Sequence, residues 1–97
     1  MARGYLFANI IVTDSERYQD YRRQVASVVE QYGGRFLVRG GAVDRLERSK
    51  EFDRLVMIEF ESVEAAQAFY RSPEYAPLMT LREQATRSQV VIVEGVP

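Results

Sequence analysis

The stretch from Tyr5 to Gly34, YLFANIIVTDSERYQDYRRQVASVVEQYGG, decides the fold. Tyr5 to Val12 is aromatic and β-branched, the composition of a strand, and it stops at Thr13-Asp14-Ser15-Glu16, where Thr or Asp can cap a helix. From Ser15 to Tyr32 the residues Tyr18, Tyr21, Val25, Val28, Val29 and Tyr32 recur at three- and four-residue spacings with charged residues between them, which predicts an amphipathic helix. Gly33-Gly34 ends it, because the position after a helix C-terminus often needs a positive φ.

Outward from this unit, Arg35 to Leu46 alternates as a strand, with Gly40-Gly41 marking a bulge or sharp bend and Glu47 to Glu51 a hairpin connection. A third strand is expected over Phe52 to Glu61. Ser62 caps a second helix whose buried stripe is Val63, Ala66, Phe69 and Tyr70, and Ser72-Pro73 breaks it. Helix resumes over Tyr75 to Arg87, and Val90 to Glu94 is the last strand. The order β-α-β-β-α-β with right-handed crossovers predicts an α+β protein, a ferredoxin-like sandwich with both helical segments on one face of an antiparallel sheet. One domain spans residues 1–97.

Strand alternation then gives the sheet a second face. On the first strand Leu6, Ala8, Ile10 and Val12 form one side and Tyr5, Phe7, Asn9 and Ile11 the other; on the third, Val56, Ile58 and Phe60 oppose Leu55, Met57, Glu59 and Glu61. The face away from the helices carries apolar and aromatic area together with polar groups, which suits a homodimer closed sheet to sheet around a cavity.

Composition narrows the chemistry. The chain has no Cys and no His, so thiolate chemistry, Ser-His-Asp and Cys-His pairs and imidazole metal ligands are excluded. Proton transfer is left to carboxylates, six Tyr and the single Lys50. A net charge of −1 gives no drive toward nucleic acid or an anionic membrane, and the arginines scatter instead of forming a basic stripe. Neither a G-x-G-x-x-G nor a G-x-x-x-x-G-K-[ST] motif occurs, and the carboxylates lack Ca²⁺-loop spacing, so no cofactor and no metal is expected. No window reaches membrane-span length and no signal peptide opens the chain, which reads as a cytoplasmic protein.

Several segments carry a resemblance: Gly4-Tyr5, Ala8-Asn9, Thr13-Asp14, Tyr18 and Tyr21, the block YGGRFLVRGG from Tyr32 to Gly41, Ile58-Glu59-Phe60, Ala65-Ala66, Tyr70 with Ser72-Pro73-Glu74-Tyr75, Arg82, and Val93-Glu94-Gly95. In these the chain resembles the domain-of-unknown-function 1330 family, a branch of the dimeric α/β-barrel superfamily. It departs from the family pattern at Ser15, where Pro is usual, at Leu6 and Phe69, where Trp is frequent, and at Arg48, where Gly is usual. The resemblance implies architecture more than chemistry. Members of the wider superfamily include cofactor-independent monooxygenases, isomerases and cyclases acting on small aromatic or carbonyl compounds.

The sharpest polar cluster is Asn9, Arg35, Arg39 and Glu59. With the first and third strands central and the second beside the third, all four can point to the non-helical face and meet inside the barrel, with Tyr5 and Met57 as walls. In an enzyme, Arg39 or Arg35 would stabilise an oxyanion, Asn9 would orient a small organic substrate, and Glu59 with a raised pKa, or a Tyr, would move the proton. In a metabolite-binding or structural homodimeric module, an arginine instead pairs with Glu59 across the interface. Tyr70 and Tyr75 flank the Ser72-Pro73 break and are candidates for a pocket mouth or for hydroxyls bonded to backbone. Tyr18, Tyr21 and Tyr32 read as core; Arg82 either faces that mouth or balances Glu83 and solvent, the solvated reading being the default.

Overall fold

The structure, a computed structural model, describes residues 2–97. In chain order it contains β1 (Gly4–Val12), α1 (Ser15–Gln31), β2 (Arg35–Arg39), β3 (Arg54–Phe60), α2 (Val63–Tyr70), α3 (Ala76–Ala85) and β4 (Thr86–Glu94). The four strands form one antiparallel sheet in the order β2-β3-β1-β4, the ferredoxin-like arrangement. All three helices lie on one side. The core sits between them and the inward row Leu6, Ala8, Ile10, Val56, Ile58 and Phe60.

Local chemistry sets the helix boundaries. The Asp14 carboxylate accepts from the backbone N–H of Arg17 and caps α1, and Ser62 does the same for α2 through Ala65 N–H. At the other end of α1, Gly33 takes φ +78°, its N–H donates to Glu30 O, and Gly34 N–H donates to Val29 O. This double bond pattern closes the helix, and only Gly enters the left-handed region freely.

Several boundaries differ from those the sequence suggested, among them the last strand, which starts at Thr86 rather than Val90. β2 ends at Arg39, well short of Leu46, because Gly40 turns the chain with φ +71° and the Arg54 guanidinium packs where a Cβ would stand. Residues 41–53 follow as an irregular loop, so β3 starts at Arg54 rather than Phe52. Residues 72–75 form a turn, with Ser72 Oγ accepting from Tyr75 N–H, and the proline of the α3 first turn is Pro77. α3 stops at Ala85, whose carbonyl accepts from the N–H groups of Thr13 and Asp14; Arg87 therefore lies on β4. Within the loop Arg48 adopts φ +44°, a conformation that favours Gly, and this is where the family resemblance expects one.

The consequential irregularity is inside β2. Arg35 is opposite Glu59 and Phe36 opposite Ile58, but Val38 is opposite Met57 and Arg39 opposite Val56, so Leu37 is an extra residue. A bulge of one residue reverses the parity of everything after it. Arg35 and Arg39, expected on one face, therefore lie on opposite faces.

Candidate functional site

Three neighbouring strands place Tyr5, Glu59 and Arg35 in one cross-strand row on the open face of the sheet. Tyr5 OH donates to Glu59 Oε2 at 2.9 Å and Arg35 Nε donates to Oε1 at 2.8 Å. Arg35, with Tyr5 next, holds the Glu59 carboxyl below its ordinary value of 4.5, while the carboxylate pushes the Tyr5 phenol up. The expectation of a Glu59 with a raised pKa is thus corrected: at neutral pH it is an occupied anion and a poor base. The ion pair forms within one chain.

This has a pH consequence. A depressed carboxylate adds stability that is present above its unfolded pKa and is lost as pH falls through the folded one. In urea titrations from pH 7 to pH 2, the stability difference between wild type and Glu59→Gln is expected to be widest at neutral pH and to shrink below about pH 4.5, the ordinary carboxyl value. A pH-independent difference would show that Glu59 is not held by Arg35 and Tyr5.

Asn9 lies on the same face but serves the loop. Its Nδ2 donates to Glu51 O at 3.0 Å and its Oδ1 accepts from Asp53 N–H at 2.9 Å, so a buried amide satisfies two backbone groups and ties residues 51–53 to β1. It is thereby separated from the Tyr5–Glu59–Arg35 row. Met57 joins Tyr5, Phe7, Val91 and Val93 in an apolar patch at the middle of the open face.

Arg39 is corrected in full. Carried to the helical face by the bulge, its guanidinium stacks 4.3 Å from the Phe36 ring and donates to Arg22 O at 2.9 Å. There it borders a small cavity of about 30 Å³ between the sheet, α1 and α3. Besides apolar side chains the walls hold Arg22, Arg39 and Arg82 with Tyr18, Tyr21 and Tyr75, and no acidic residue.

The tyrosines and Arg82 form a buried chain. Arg82 Nη1 donates to Tyr75 OH at 3.3 Å, and the hydroxyls of Tyr75 and Tyr21 are 2.9 Å apart. Burial pushes both phenols up, Tyr21 most, so each is neutral and available as a donor at ordinary pH. Tyr70 flanks the chain, its ring 5.6 Å from Tyr75 and 6.0 Å from the Arg82 guanidinium. Tyr18 lies beside Tyr21 with ring centroids 5.8 Å apart and accepts from Arg54 Nε at 2.8 Å.

The sequence-proposed residues therefore separate. Tyr5, Arg35 and Glu59 meet on the open face, Met57 sits in the adjoining apolar patch, Asn9 anchors a loop, and Arg39, Tyr70 and Tyr75 belong to the opposite side of the sheet. Arg82, expected in solvent, is 7% exposed. Its signal was the spacing Leu78, Arg82, Ala85, which puts it on the buried stripe of α3.

Comparison with solved structures supports the architecture. A protein of unknown function from Rhodopseudomonas palustris superposes with TM-score 0.75 at 19% identity, covering 99% of this chain and 84% of its own. A dimeric ferredoxin-like protein of unknown function from Jannaschia sp. CCS1 gives 0.76 at 14% identity, with 94% and 97% covered. SnoaB, a cofactor-independent oxygenase from Streptomyces nogalater, gives 0.73 at 12% identity, with 100% and 96% covered. No curated protein sequence matches the chain. The family profile described as domain of unknown function DUF1330 matches residues 3–96, and the chain belongs to that family.

Proposed function

We propose that this protein is a homodimeric binding domain for small aromatic or carbonyl compounds, with the ligand in the cavity between sheet and helices. What carries the reading is the cavity wall: three arginines and three tyrosines line one small cavity in an otherwise apolar core. A few polar groups in an apolar cavity are what fix the orientation of a small ligand. The likeness to SnoaB, a cofactor-independent oxygenase, supports a site of this kind in this fold. The chemistry that suits these residues is stabilisation of charge on a bound carbonyl compound, as a cofactor-independent monooxygenase, isomerase or cyclase requires. No group of the cavity wall is a base at ordinary pH, since Tyr21 and Tyr75 are held neutral by burial and no carboxylate among the described residues lines it, so the residues suit a ligand that has already lost its proton to water.

The homodimer rests on the open face, where Tyr5, Phe7, Met57, Val91 and Val93 form an apolar patch. A second copy of the same patch is its natural cover. One observation favours a second reading, a non-catalytic interaction module: about 30 Å³ admits roughly two waters, so a ring enters only when side chains such as Phe36 and Arg39 move.

Native mass spectrometry and amide NMR together test the proposal. A dimer is expected, and small aromatic and carbonyl compounds at millimolar concentration should shift amides clustered in residues 18–25, 36–39 and 75–85. A protein that is monomeric, or whose cavity amides respond to no such compound, would overturn it.

A further inference from the structure

Arg82 raises a question of charge balance. Its side chain is more than nine-tenths buried, yet among the described residues no carboxylate oxygen lies within 4.0 Å of it, and the ion pairs present are Arg17–Asp14, Arg23–Asp20 and Arg35–Glu59. Its protein partners are the Tyr75 hydroxyl and the Tyr70 ring. Its Nε is buried without a hydrogen-bond partner, and so is that of Arg22 on another wall of the same cavity. A buried guanidinium left unpaired is costly, because both its charge and its N–H groups lose water.

The neighbouring groups do not supply the missing charge. Tyr75 and Tyr21 could do so only as phenolates, and burial opposes that. Arg39 and Arg22 add further positive charge, and Arg54 lies behind Tyr18. The cavity is a positively charged space in a low-dielectric core, with neutral hydroxyl donors beside it.

We propose that the group this cavity recognises is a monoanion, the carboxylate or enolate oxygen of a small organic acid, seated against Arg82 with a tyrosine hydroxyl of the Tyr21–Tyr75 pair donating to it. Arg39, stacked on Phe36, lines another wall of the same cavity. This rests on the cavity being the binding site, and it adds the charge of the ligand. Selectivity for an anion over its neutral isostere follows, since a neutral amide can accept from the guanidinium but leaves its charge unbalanced.

The test uses the Arg Nε–Hε resonances of the intact wild-type protein, titrated with acetate and benzoate and with their neutral counterparts acetamide and benzamide. Both carboxylates are expected to move the Arg82 Nε–Hε signal saturably, with the amides at least tenfold weaker. Arg82→Gln should remove the preference, while Arg82→Lys, which keeps the charge, should retain carboxylate binding; the wild-type titration stands even if a variant fails to fold. Amides binding in the cavity as tightly as the carboxylates would overturn the anion assignment and leave the small-molecule reading standing. Carboxylates that shift only Arg35 or loop arginines would overturn it too. If none of the four probes reaches the cavity, both proposals fall.

Discussion

Replacing Phe69 with Ala is expected to lower stability by about 3–5 kcal/mol, the range for deleting a fully buried aromatic ring. Phe69 is 1% exposed and is the meeting point of the aromatic core: its ring centroid lies 4.7 Å from Tyr75, 5.4 Å from Phe60 and 6.4 Å from Tyr32. These tilted and edge contacts join α2 to β3, to the end of α1 and to the turn before α3. Against a total stability of about 5–15 kcal/mol the loss is a large share, and for a domain of this length it lowers the Tm by roughly 15–30 °C. Because any self-association makes Tm depend on concentration, thermal unfolding by circular dichroism should be compared at one protomer concentration. Phe69→Leu, which keeps most of the volume, is expected to cost less than half as much. A drop below about 1 kcal/mol for Phe69→Ala would mean that the ring is not packed as described.

The second large effect concerns association. Val91→Asp combined with Val93→Asp should convert a dimer into a folded monomer. Both valines are 52% exposed on the open face, opposite Phe7 and Tyr5 on β1, so a single chain loses little when they become polar. In a sheet-to-sheet dimer, the two-fold axis brings four new carboxylates into an apolar contact. At several kcal/mol for each charge taken out of water, the dimer weakens by well over a hundredfold. Light scattering behind size exclusion should give twice the chain mass for wild type at about 100 μM and the single mass for the variant, with unchanged circular dichroism. A variant that stays dimeric would place the interface elsewhere on the molecule.

Much of the architecture could be read from local signals. The α1 stripe, the Asp14 and Ser62 caps, the Gly33 stop and the alternation on β1 and β3 are each fixed by residues close in sequence, and the structure has them. The strand order was legible for the same reason, since few topologies connect two β-α-β units. The candidate site was harder. Glu59, Tyr5 and Arg35 meet as parity predicts, because no irregularity separates them from the sheet centre. Arg39 does not join them, and nothing local announces why. The glycines at 40 and 41 suggested where a bend would be, but the extra residue is Leu37, set by how β2 settles against β3. Arg82 was misjudged because an arginine beside Glu83 resembles a solvated pair until its place on the Leu78–Ala85 stripe is weighed. Asn9 shows a third kind of gap: its partners are backbone atoms of residues 51 and 53, contacts that no residue pattern encodes.

The bulge at Leu37 also bears on whether like can meet like. With it, Arg35 pairs directly with Glu59 on the open face while Arg39 is turned away from it. Without it, Arg39 would stand on the same face, leaving an unmatched positive charge there in each protomer. A two-fold contact duplicates every imbalance it contains, so the surplus would be brought toward its own copy. One inserted residue thus keeps a second cation off the open face, and moves it to the wall of a cavity that holds no acidic residue.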